Sequence, residues 1–144
     1  MKRDVRLSTV LHALLHMAEA GRAVTSEELA EMVCTHAVVV RRMLAGLREA
    51  GVVGSTKGHG GGWQLERPLA GISLADVYDA LDAPNVFAIA DRTENPRCLV
   101  EQAVNRATRE VFAGAEAILL ARFREVSLAD IAADVKRHQP RKPR

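Results

Sequence analysis

Large rings are almost missing from this sequence: three Phe, one Tyr and one Trp make up 3% of its 144 residues. Its core must therefore be aliphatic, built of Leu, Val and Ala, the side chains that helical packing prefers. Cysteine is nearly as scarce. Cys34 and Cys98 stand far apart, which excludes a disulfide framework and agrees with a reducing compartment. No apolar run approaches the roughly 20 residues of a membrane span, and no charged start leads into an apolar signal core. A soluble, cytoplasmic protein with no membrane partner is expected. The chain is long enough for one cored domain and an appendage, and short for an enzyme that must hold two substrates. Hydrophobic residues at 48% exclude global disorder.

Nor is there a large charge of either sign. A net charge of +2 does not by itself point to nucleic acid, but its distribution is uneven. Residues 1–72 carry nine Lys or Arg against seven acids, residues 73–135 carry six against eleven, and the last nine carry five bases and no acid. Positive charge thus gathers in the first half and at the two ends, the pattern that supplies salt-dependent affinity for a phosphate backbone.

What is present is a change of period within a few residues. From Val38 onward Val40, Met43, Leu44 and Leu47 fall on one helical stripe, while Arg41, Arg42 and Arg48 fall off it. Gly51 ends that helix, which is expected over Ala37 to Ala50. Val52 to Lys57 and Trp63 to Glu66 then read as two short strands, joined through Gly58-His59-Gly60-Gly61-Gly62, a hairpin tip with almost no side chains to bury. Upstream, Thr25 and Glu28 form a capping-box pattern that opens a short helix with Leu29 and Met32 or Val33 inward. Two short helices, a turn at Cys34-Thr35-His36 and a hairpin make a helix-turn-helix with a wing, which places the second helix in the DNA major groove. On that reading Thr35, His36, Val38 and Arg42 reach base edges, Arg41 and Arg48 face phosphates or solvent, and Lys57, His59 and Gly60 lie at the wing. The glycine run is not a nucleotide cradle, because it lacks a G-K-[ST] ending and no helix follows it.

The same residues resemble the Rrf2 (Rrf-two) family of bacterial winged helix-turn-helix transcription regulators. The resemblance rests on VVVRR from Val38, LREAGVV ending at Val53, the glycine-rich GHGGGWQL wing and ISLADVYDALD from Ile72 to Asp82, in that order. It implies a regulator without enzyme activity, bound to double-stranded DNA as a homodimer, with Arg6 and Ser8 near the phosphates. Trp63 stands where the family usually has a smaller aromatic, and packing the wing to the core is its expected job. Cluster-binding relatives place three cysteines from the loop that Cys98 occupies; here no second or third Cys follows, so an iron-sulfur cluster is disfavoured and no cofactor is expected. A thiol beside Arg97 and a helix start is a setting for redox sensing, and Cys34, in the turn, is the second candidate.

The remaining chain is read by periodicity. Val5 to Ala20 forms a helix with Leu7, Leu11, Leu14, Leu15 and Ala18 on one face, ended by Gly21. Ser73 caps a helix from Leu74 to Leu81 with Leu74, Val77, Tyr78 and Leu81 inward. Residues 83–97 form a loop with an apolar plug at Val86, Phe87 and Ile89, before a long helix from Leu99 to Arg124. Ser127 caps a last helix through Val135 whose Leu128, Ile131 and Val135 return to the core. The fold class is therefore mainly α with a small β-hairpin: a winged helix DNA-binding domain over 1–82, a loop over 83–97, a dimerisation helix with a short packing helix over 98–135, and a basic disordered tail over 136–144. Two rival readings are a metal-binding or small enzymatic protein using His12, His16 and Glu19 on one helix face, and a winged-helix module for protein contacts only. The favoured function is a sequence-specific transcription repressor, with an operator and an effector that the sequence does not identify.

Overall fold

The computed structural model describes residues 4–87 and 89–140. Arg141 to Arg144, part of the expected basic tail, lie outside the described residues. Two compact units are present: the chain up to Pro84 together with the residues from Arg124 on, and Asn85–Phe123.

In the first unit, α1 (Arg6–Ala20) ends where Gly21 turns left-handed at φ 62°. Its buried stripe is Val10, Ala13, Leu14 and Met17, with Leu7 and Leu11 at the edge. The expected face, Leu7 to Ala18, is thus rotated by a step: this helix carries two adjacent apolar stripes, and periodicity alone does not choose between them. Helix α2 (Ser26–Met32) is closed at its start by a full capping box, the Glu28 N–H donating to Thr25 Oγ1 at 3.1 Å and the Thr25 N–H donating to Glu28 Oε2 at 2.8 Å. Leu29 and Ala30 are buried; Val33 packs at the rim and Met32 is exposed. Helix α3 (Ala37–Glu49) buries Val40, Met43, Leu44 and Leu47 as the stripe predicts, each fully buried aliphatic contributing about 1.5–3 kcal/mol.

The strands are β1 (Val53–Thr56) and β2 (Gly62–Leu65), antiparallel with Val53 opposite Leu65 and Thr56 opposite Gly62. Trp63 joins this hairpin to the core by three links. Its backbone N–H donates to Val24 O at 2.8 Å, its carbonyl accepts from the Val24 N–H at 2.9 Å, and its indole N–H donates to Ser26 Oγ at 2.9 Å inside the protein.

Helix α4 (Leu74–Ala80) buries Ala75, Val77 and Tyr78, whereas Leu74 is half-buried. It is tied to α6 (Leu128–His138) by a reciprocal bridge: the Leu74 N–H donates to Val126 O and the Leu128 N–H to Ile72 O, both at 2.9 Å. Each helix starts with its own capping box, Ser73 with Asp76 and Ser127 with Asp130. The two starts are near copies, Ile-Ser-Leu-Ala-Asp-Val from Ile72 and Val-Ser-Leu-Ala-Asp-Ile from Val126. The bridge explains why Leu128 is fully buried and Ile131 packs on the core. Val135 is 48% exposed rather than inward, and α6 runs on through His138, so the first residues assigned to a disordered tail are helical.

The second unit holds most of α5 (Leu99–Glu125). The preceding loop is pinned to this helix: Asp91 pairs with Arg109, Asn105 Nδ2 donates to Arg92 O at 2.8 Å, Gln102 Nε2 donates to Pro96 O at 2.9 Å, and Phe87 stacks on Phe112 with centroids 5.3 Å apart. Of the expected plug, Phe87 has this partner and Ile89 is exposed. No described residue of α5 is buried.

Candidate nucleic-acid interface

The turn between α2 and α3 is set by backbone bonds. The Thr35 N–H donates to Ala30 O at 2.9 Å and the Cys34 N–H donates to Glu31 O at 3.3 Å, which holds Cys34 at φ 54°, an unusual value for a residue with a Cβ. His36 then takes the N-cap position in extended backbone. Its carbonyl accepts from the Val39 and Val40 N–H groups, while its imidazole makes no cap bond and is exposed. Because Val40, Met43, Leu44 and Leu47 fix the inner face, the first turns of α3 present His36, Val38 (61% exposed), Val39, Arg41 and Arg42 outward.

The three arginines of this helix have different surroundings. Arg41 forms an ion pair with Glu27 at the start of α2, pinning the two helices together. The Arg48 guanidinium lies over the Trp63 ring, 5.8 Å from its centroid, a cation–π contact made by a residue that is still exposed. Arg42 has no ion pair among the described residues; it lines a groove of about 520 Å³ with Arg6, Met43, Gly46 and Asp79. Arg6 is half-exposed at the start of α1, its guanidinium held by Asp4, whose carboxyl is lowered by that hydrogen bond. The fold thus brings Arg6 and Arg42 to one groove. Ser8 is exposed in the first turn of α1, and Thr35 is half-buried in the turn.

Sequence reasoning missed Gly46. A Cβ built there would meet the Ala80 carbonyl oxygen at 2.4 Å, so glycine lets α3 approach the end of α4 and helps to form the groove that Arg42 lines. An interior glycine in an amphipathic helix is the signal that would have found it.

At the wing, Gly58 (φ 91°) and Gly60 (φ 75°) carry the chain around a tip closed by the Gly61 N–H donating to Gly58 O at 3.0 Å. Lys57, His59 and Gly60 are all exposed there. Gly62 meets Val24 so closely that a Cβ would fall 2.6 Å from its carbonyl oxygen.

Of the thiols, Cys34 is exposed and Cys98 half-buried, both free. The rival cluster on α1 does not converge: His12 Nε2 and His16 Nε2 face each other at 2.9 Å, while Glu19 approaches His16 from its other nitrogen, Nδ1, at 3.6 Å. Among the described residues no group of three His, Cys, Asp or Glu side chains could hold a metal ion. No described helix is long and apolar enough to cross a membrane.

A helix-turn-helix with a locked inner face, an exposed basic outer face and a hairpin wing defines a DNA-binding transcription regulator of the winged-helix class. The particular family follows from comparison with known proteins. The Rrf2 family model, described as an iron-dependent transcriptional regulator, matches residues 4–134; the chain belongs to the Rrf2 family. It is 30% identical over 126 residues to YwnA of Bacillus subtilis, named as an HTH-type transcriptional regulator, covering 88% of this chain and 93% of that one. Among solved structures, a protein described as a transcriptional regulator from Lactobacillus plantarum superimposes with a TM-score of 0.78 at 26% identity, covering 93% of this chain and 91% of that one. T. potens IscR shares the fold at a TM-score of 0.74 and 20% identity, covering 99% and 94%.

Proposed function

We propose that this regulator is a homodimeric repressor that reads a near-palindromic operator with the start of α3. His36, Val38 and Arg42 contact base edges from the major groove, with Thr35 at the turn. Arg6, Ser8, Lys57, His59 and the backbone at Gly60 hold phosphates or the flanking groove. The observation that carries this reading is the division of labour within α3. Arg41 and Arg48 are engaged by Glu27 and Trp63, which leaves Arg42 as the arginine available for bidentate bonding to guanine. Arg41 accordingly positions the recognition helix instead of reading sequence.

The dimer rests on a seam along α5. Val104, Val111 and Ile118 recur every seven residues and are 55%, 69% and 69% exposed; Ala107, Gly114 and Ala121 follow each at the third position and are also exposed. Apolar residues repeating on a heptad form a seam that a second helix can cover, and the small residues at the other core position leave room for close approach. At about 40 Å, α5 is long enough to pair along several turns with a second copy. A symmetric dimer presents two recognition helices to two half-sites, and occupancy of such an operator is what represses.

Operator binding responds to thiol chemistry through Cys34, the exposed thiol of the turn. Peroxide converts a thiolate to a sulfenate with loss of water, placing a polar group beside Thr35 and His36.

Selection of bound fragments from the host genome, followed by gel shift, tests the operator and the repressor reading together. A palindromic site overlapping a promoter, with two chains bound per site, is expected. Promoter output that falls when the protein is removed contradicts repression, and one chain per site contradicts the dimer. Peroxide that leaves wild-type binding unchanged, with Cys34→Ser, Cys98→Ser behaving the same, removes the thiol response.

A further inference from the structure

We propose that His12 and His16 form a surface site on α1 for a divalent late-transition-metal ion of the Cu²⁺ or Ni²⁺ type, held by the two imidazoles with water in the remaining positions. The residues stand four apart on one helix, and their Nε2 atoms share a hydrogen bond 2.9 Å long, whose single proton a bound ion would displace. Two imidazole nitrogens bound to one ion at about 2.0–2.1 Å and at right angles to each other stand about 2.9 Å apart. A tetrahedral ion would need them roughly 3.4 Å apart by the same arithmetic. With that proton gone the pair can serve as two adjacent ligands without rearranging the helix, and the general order of stabilities places Cu²⁺ first among divalent ions.

Two further features prepare the site. Ala13, Leu14 and Met17, which alternate with the histidines along α1, are buried, so the backbone that carries both imidazoles is fixed by the core. The rings are already close, with centroids 4.7 Å apart and planes inclined by 37°. Glu19 Oε2 lies 3.6 Å from His16 Nδ1, outside the pair and on the far side of the ring. A carboxylate on that side, on closing to hydrogen-bond distance, would hold the proton on Nδ1 and keep Nε2 as the ligand atom, the arrangement that commonly backs a metal-bound histidine. Glu19 is thus an orienting residue and not a ligand. The site is open, since His12 is exposed and the His16 side chain is 33% exposed, so water or a small donor molecule completes the coordination.

The test is calorimetric titration of the untagged full chain, carrying Cys34→Ser and Cys98→Ser to remove thiol binding, with Ni²⁺ and separately with Cu²⁺. One ion per chain is expected, with tighter binding of Cu²⁺ and a melting temperature that rises with ion concentration. His12→Asn and His16→Asn should each weaken binding at least tenfold and abolish the thermal shift; both positions are at the surface, so both variants are expected to fold. Glu19→Gln should weaken binding about tenfold or more while keeping the stoichiometry, and His36→Asn should leave it unchanged. Binding that survives either α1 histidine substitution, that vanishes with the cysteines, or that prefers Zn²⁺ to Cu²⁺ overturns the assignment. None of these readouts depends on DNA.

Discussion

Replacing Arg42 by Ala separates base reading from phosphate holding. A guanidinium bidentate to guanine contributes roughly 1–3 kcal/mol of discrimination against another base pair, and a symmetric dimer makes the contact twice, so a base change in both half-sites should cost wild type roughly 2–6 kcal/mol. At about 1.4 kcal/mol per tenfold, that is between one and four decades in Kd. Arg42→Ala should bind the wild-type operator and the doubly changed operator with nearly equal affinity, both near the level of wild type on the changed site. Anisotropy titrations of both proteins on both duplexes, repeated across a salt series, give the four affinities and their salt slopes. The inner face of α3 is untouched by the substitution, because Arg42 is exposed and unpaired among the described residues. If Arg42→Ala instead weakens binding equally on every duplex and the salt slope falls by about 0.9 per chain, the residue holds phosphate and the assignment to bases fails.

Lys57→Ala at the wing should show that second pattern, a uniform loss with a shallower slope of log affinity against log salt. Gly46→Ala should lower stability by about 1–3 kcal/mol, because its Cβ meets the Ala80 carbonyl at 2.4 Å and overpacking outweighs the gain of about 1 kcal/mol in helix propensity; a thermal melt above wild type would contradict the close approach. Val111→Glu should shift the protein from dimer to monomer in sedimentation while leaving its helical content intact, and an unchanged dimer would move the interface off this seam. Glu28 is held at about 2, below its ordinary 4.5, first by the Arg22 hydrogen bond and then by the Thr25 N–H. Since a depressed carboxyl stabilises the fold above its unfolded value and loses that contribution as pH falls toward the folded one, Glu28→Gln should flatten the urea midpoint between about pH 4.5 and 2. A wild-type midpoint independent of pH in that window would remove Glu28 as a contributor.

The elements with one unambiguous period were legible. The α3 stripe, the Thr25 box, the glycine stop at Gly51 and the Ser73 and Ser127 caps all stand where residue spacing puts them. Local rules governed those positions, so local reasoning sufficed. The inner face of α1 was off by a step because Leu7 to Ala18 is apolar on two stripes, and only the surrounding core selects Val10 and Met17. The end of α6 was missed for the opposite reason. Lys136, Arg137 and His138 look like a tail but occupy the last turn of a helix, where positive charge is favoured by the helix dipole and where Arg137 reaches Asp134. The repeated Ser-Leu-Ala-Asp starts were visible as sequence, yet their mutual bridge is a contact between segments far apart along the chain and has no local signature.

The arginines show why composition said so little about the site. Counting bases in α3 gives three, but side-chain partners reduce the free ones to one, because Glu27 neutralises Arg41 and the Trp63 face holds Arg48. Both engagements tie α3 to its neighbours, the first across the turn to α2 and the second to the hairpin, whose Trp63 is itself bonded to Ser26 on α2. Charge that a sum would assign to DNA affinity is partly directed at neighbouring side chains of α2 and the wing, while the buried cluster holds these elements together. Breaking Arg41 from Glu27 should therefore loosen the recognition helix before it weakens any phosphate contact. An Arg41→Ala loss of affinity that is recovered by Glu27→Ala would instead mean that Arg41 had acted on DNA as charge alone.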